Sequence, residues 1–185
     1  MIDNNFLPHA LTEFKKSKEL AERAFAQLDD MQFFKSPDNS VSNSVALTVK
    51  HLAGNMRSRW TDFLTTDGEK ADRNRDTEFE LIDDTRASLM TKWESSWKIL
   101  FDTLNSLSED DLSKTITIRG ESHTVTQAIF RQLTHYAYHV GQIVYTARNL
   151  VGSNWKTLSV AKGKSKEFEK LTRDKHRNTK GNHSK

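Results

Sequence analysis

Gln132-Leu133-Thr134-His135-Tyr136-Ala137-Tyr138-His139-Val140-Gly141-Gln142 sets two histidines four residues apart inside a strongly helical segment. On a helix that spacing carries both imidazoles out of one face, about 6 Å apart, close enough to bind one ion. The surrounding residues say what this helix packs against. Ile129, Leu133, Tyr136, Val140, Ile143 and Ala147 alternate by four and three, the spacing of a core stripe. One position earlier runs a second stripe, Ala128, Gln132, His135, His139, Gln142 and Thr146, in which the Lys and Glu of an ordinary solvated face are missing.

Working outward, Thr124 followed three residues later by Gln127 reads as a capping box that opens this helix, which continues to about Val151. Before it, Thr115-Ile116-Thr117-Ile118-Arg119 is rich in β-branched residues and precedes Gly120-Glu121, the pattern of a small hairpin. Three more amphipathic stretches follow helical spacing, at residues 8–30, 43–64 and 83–107. The last of them spaces Leu89, Trp93, Trp97, Leu100, Leu104 and Leu107 so as to bury two indoles. Phe33 to Ser40 breaks the first helix from the second, and a charged connection of about fifteen residues separates the second from the third. Four long amphipathic helices predict an all-α four-helix bundle with the hairpin placed before the last of them.

The helix at 43–64 repeats the arrangement of the last one. Beside its apolar stripe of Val45, Val49, Leu52, Met56 and Phe63 lie Ser44, Thr48, His51, Asn55, Ser58 and Asp62, without Lys, Arg or Glu. Two helices that each flank a core stripe with a polar one free of Lys, Arg and Glu, histidine in the middle of both, can face each other across a polar pocket. Gln, Asn, Thr and His are also ordinary at half-buried edge positions, and a lone histidine needs no more explanation than that. The i, i+4 pair argues further, because helices chelate metals with that spacing, as in the zinc-protease signature. Here Tyr136 stands where that signature has its glutamate, so the helix brings no carboxylate base.

Val49-Lys50-His51-Leu52-Ala53, then Gln127 to Leu133 running into His135, His139, Gly141 and Gln142, resemble the DinB-like (YfiT-type) superfamily of metal-dependent four-helix-bundle proteins. The likeness covers residues 5 to 155. It implies a divalent ion, zinc or nickel, held by His51, His135 and His139; Asn55, Gln132 and Gln142, from the same two polar stripes, are the candidates for hydrogen bonds to the ligands or to a substrate. It also implies chemistry with low-molecular-weight thiols in some relatives, and a homodimer.

The chain has 185 residues and no cysteine, so any thiol must come from outside, and no thiolate ligand or disulfide is available. Residues 161–185 hold nine Lys or Arg and three Asp or Glu, which leaves the rest of the chain at −3 although the total is +3. The domain reading is therefore a bundle over 1–160 and a basic, mobile tail over 161–185, whose last dozen residues carry almost no apolar side chain. Such a tail holds nucleic acid only weakly and in a salt-dependent way, and the acidic body offers no surface for it. Lys162-Gly163-Lys164-Ser165-Lys166 lacks the strand, spacing and helix of a phosphate loop.

No signal peptide or membrane span is legible, and the expected location is the cytoplasm. The functional expectation is a metal-dependent thiol transferase or hydrolase, in which a three-histidine site activates an exogenous thiol or water against a small electrophilic substrate. Its rival is a non-catalytic metal-binding or stress-response bundle with the same ligands.

Overall fold

A computed structural model describes residues 5–38 and 41–181, the side chains of 175–181 excepted, so the start of the chain, part of the 33–40 break and the end of the basic tail lie outside it. The described residues form six α-helices and one antiparallel two-stranded sheet, in two units, Met1–Ser153 and Asn154–Lys185.

In the first unit the long helices are α1 (Phe6–Phe25), α3 (Val45–Trp60), α4 (Arg86–Ser106) and α5 (Val125–Val151). α3 packs chiefly on α4, α1 chiefly on α5, and α3 also meets α5. Their shared core is aromatic. Phe14 lies with its ring centre 5.8 Å from those of Trp60 and Tyr136 and 6.5 Å from that of Trp97. Tyr136 is fully buried, and its hydroxyl accepts from Trp60 Nε1 at 3.0 Å and donates to Asn55 Oδ1 at 3.2 Å. That pairing supplies both polar ends with partners inside an apolar core.

The ends of the helices follow local chemistry. Thr124 caps α5 through the expected box with Gln127. The first helix stops at Phe25 rather than continuing to residue 30, because Asp29 and Gln32 form a second capping box that opens the short α2 (Asp30–Phe34). α3 stops at Trp60, short of residue 64. Asp62 there turns to φ 47°, in the left-handed region, and its carbonyl takes the N–H groups of Thr65 and Thr66. Of the polar stripe read for this helix, Ser44, Thr48, His51, Asn55 and Ser58 are buried, while Asp62 lies past its end and is exposed.

The hairpin is β1 (Thr115–Ile118) paired with β2 (Glu121–Thr124). Its two-residue turn, Arg119-Gly120, has positive φ at both positions, 58° and 76°, as this tightest class of hairpin turn requires. The charged connection after α3 is folded against it. Asp67 accepts the backbone N–H groups of Arg119 and Gly120, each at 2.8 Å, and Gly68 N–H donates to Thr117 O at 2.8 Å. Burial works to raise the Asp67 carboxyl, but backbone donors from Glu69, Gly120 and Arg119 outweigh it and hold it at about 2.

The second unit contains α6 (Ser165–Gly181), which lies within the stretch read from the sequence as a basic tail. Lys and Glu are good helix formers, and Arg173 pairs with Glu169 one turn earlier, while Lys164 meets Glu167 at 2.9 Å. Among the described residues no helix is long and apolar enough to cross a membrane.

Candidate metal centre

The facing stripes of α3 and α5 bring His51, His135 and His139 together, with one nitrogen from each ring within 4.8 Å of the others. Ring centres lie 4.6 Å apart for His135 and His139, 4.8 Å for His51 and His139, and 5.5 Å for His51 and His135. His51 is buried and the other two are half-buried, so the cluster sits at the floor of an opening rather than on a free surface.

Hydrogen bonds behind the rings fix how two of them point. Glu78 Oε2 accepts from His51 Nδ1 at 2.8 Å, and Gln142 Oε1 accepts from His139 Nδ1 at 2.7 Å. Each bond places a proton on Nδ1 and leaves the Nε2 lone pair to the cluster. His139 Nε2 and His135 Nε2 then stand 3.1 Å apart, while His135 Nδ1 is buried without a partner.

The rings are also electrostatically prepared. Burial, and then the neighbouring His139 and His51 with Arg59 and Arg73 beyond them, pushes His135 down to about 3. Burial likewise lowers His139 to about 4, against the opposing pull of Gln142 and with the help of His51 and Arg75. Both are neutral imidazoles at pH 7, the form that donates a lone pair to a cation. The donor set, three ring nitrogens close together with carboxylate or amide acceptors behind two of the rings, could hold a metal ion.

A glutamate does reach the cluster, from the connection and behind His51. Glu78 lies in a single turn of 3-10 helix, Asp76–Phe79, and is buried against α3. Burial would raise its carboxyl, yet the hydrogen bonds from His51 and Arg73, with the Arg73 charge, hold it below the ordinary value and ionised. Arg73 donates from Nε to Glu78 Oε1 at 2.8 Å and from Nη2 to Oε2 at 2.9 Å, a two-pronged clamp. Arg73 also reaches Glu69, which takes Arg59 Nη1 at 2.8 Å and Arg119 Nε at 3.1 Å.

Of the polar residues singled out in the sequence, Gln142 contacts His139 directly. Asn55 lines the opening but spends its oxygen on Tyr136 rather than on a histidine. Gln132 lines it too, buried, with Oε1 unpartnered. Sequence reasoning missed Glu78 and Arg73. The signal available was Gly54 in the middle of α3, which leaves room where a Cβ would lie 2.8 Å from Glu78 Cδ.

The sequence model of the family described as "Protein of unknown function (DUF1572)" matches residues 1–164, ending where α6 begins. No curated protein and no solved structure matches the chain.

Proposed function

The chain belongs to the DUF1572 family, whose description assigns no activity, and from the histidine cluster we propose a metal-dependent enzyme built on a four-helix bundle of the DinB-like type. His51, His135 and His139 hold one divalent ion, zinc or nickel, and the site activates an exogenous thiol or a water against a small electrophilic substrate. The observation that carries this reading is the convergence of three ring nitrogens within 4.8 Å, with acceptors behind His51 and His139 that turn Nε2 inward.

When bound, a divalent ion held by these three imidazoles would keep its full charge and would make a thiol or water easier to deprotonate near neutral pH. The protein's own groups do the rest. Glu78, clamped by Arg73, holds the Nδ1 proton of His51, and Gln142 holds that of His139, so neither ring can rotate without losing a bond. The half-buried position of His135 and His139 leaves an approach for a small molecule from the side of Tyr138 and Thr134. Because the chain contains no cysteine, a thiol nucleophile arrives with the substrates.

The test is elemental analysis of the purified protein and of the His135→Ala and His139→Ala variants. Stoichiometric metal in the parent and its loss in both variants is the expected result, and metal retained by both overturns the assignment. Thiol consumption with a panel of electrophiles then separates the enzyme from a metal-stabilised bundle without turnover, which binds the ion and consumes nothing.

A further inference from the structure

The cavity next to the histidines, about 400 Å3, is lined by five arginines, Arg59, Arg73, Arg75, Arg119 and Arg131, and by no carboxylate. Two carboxylates outside the lining, Glu69 and Glu78, answer part of that charge. Glu69 is shared by Arg59, Arg73 and Arg119, while Glu78 serves Arg73. Arg75 and Arg131 pair with no carboxylate among the described residues. Arg59 is only 4% exposed, and its Nε is buried without a partner. Burial lowers the Arg59 guanidinium, and the charges of Arg73 and Arg119 lower it further although Glu69 opposes them. Like charges gathered on one small cavity are costly unless something negative enters it.

The positions of these arginines relate the charge to the histidines. Arg131 stands one helical turn before His135, and Tyr138 one turn beyond Thr134, so α5 presents them along one wall. Arg75 carries its guanidinium 6.0 Å from the centre of the Phe79 ring, and Phe79 in turn stacks on His51 at 4.8 Å. Arg119 is delivered by the hairpin turn that Asp67 clamps.

We propose that this cavity seats an oxyanion, a carboxylate or phosphate group, carried by the small molecule whose reacting end lies at the histidines. Arg131 and Arg75 are the forks that engage it, and Arg119 and Arg59 supply charge from the wall. The assignment rests on the reading of the histidines as the reacting site and adds the substrate class. Arg131 and His135 line the same cavity one helical turn apart, so the substrate is a compact molecule that spans them.

The experiment is calorimetric titration of inorganic phosphate, and separately of acetate, into metal-free full-length protein at fixed ionic strength, for the parent chain and the Arg75→Ala/Arg131→Ala double variant. The anion bound more tightly identifies the source of the group. Both arginines are exposed, and an unchanged thermal midpoint shows that the variant folds. The expected result is saturable binding by the parent and affinity weaker by about tenfold or more in the variant. Equal affinity in the two proteins, or no binding of either anion by the parent, overturns the proposal. Metal content measured on the two proteins as purified, before the metal is stripped for calorimetry, keeps the two readings apart. The double variant retains its metal if the histidines hold it, and a parent without metal would remove the metal reading while the anion result stood.

Discussion

Glu78 carries more of the site than its place in a loop suggests. It is buried, ionised, gripped by Arg73 and bonded to His51 Nδ1. A Glu78→Gln variant keeps the shape but lacks the charge that Arg73 requires and that strengthens the His51 hydrogen bond. Zinc affinity, measured by competition with a chromophoric chelator, is expected to fall about 10–100-fold, the usual effect of losing an outer hydrogen-bond partner of a metal ligand. Unchanged affinity would mean that Glu78 does not orient the ring. The His135 and His139 pair was visible from spacing alone, because helical geometry guarantees that residues four apart share a face. Glu78 was not, since a buried carboxylate in an irregular segment leaves no periodic trace.

At the scale of elements, α3 shows how a helix can serve two partners. Its uncharged stripe turns His51 and Asn55 to the opening, while Gly54 admits the Glu78 carboxylate against its backbone. Gly54→Ala tests this contact. A helix interior normally gains about 1 kcal/mol from that change, but here the new Cβ meets Glu78, and overpacking of this kind costs about 1–3 kcal/mol. The thermal midpoint and zinc affinity of the variant are expected to drop together. A more stable protein with unaltered affinity would show that Glu78 does not lie on Gly54. The hairpin gains a task at the same scale. Its β-branched residues and Gly120 announced two strands, but that the turn would be fastened by Asp67 and aim Arg119 into a cavity depended on contacts 52 and 53 residues away.

For the molecule as a whole, the depressed histidines make stability depend on pH. The unfolded chain takes up protons near the ordinary value of 6.5, whereas folded His135 and His139 resist protonation until about 3 and about 4. Their contribution is therefore complete above 6.5 and is lost as the pH falls toward 4. Urea midpoints of the metal-free protein at pH 7.5, 6 and 5 are expected to decline in that order, and to decline less in the His135→Gln/His139→Gln double variant, where the proton uptake is removed. Identical slopes in the two proteins would contradict the buried, neutral state of these rings.

The sequence by itself determined the helical class, the cap at Thr124, the hairpin and the two polar stripes with histidine at their centres, because these follow from periodicity and from hydrogen bonds between near neighbours. It misjudged where the first two helices stop, since Asp29 and Asp62 act through caps and backbone angles that an apolar stripe does not register. Only the tertiary structure decided that five arginines and Glu78 gather around the histidines. Charged side chains from a connection, a hairpin and two helices have no sequence spacing in common, and what brings them together is the packing of the elements that carry them.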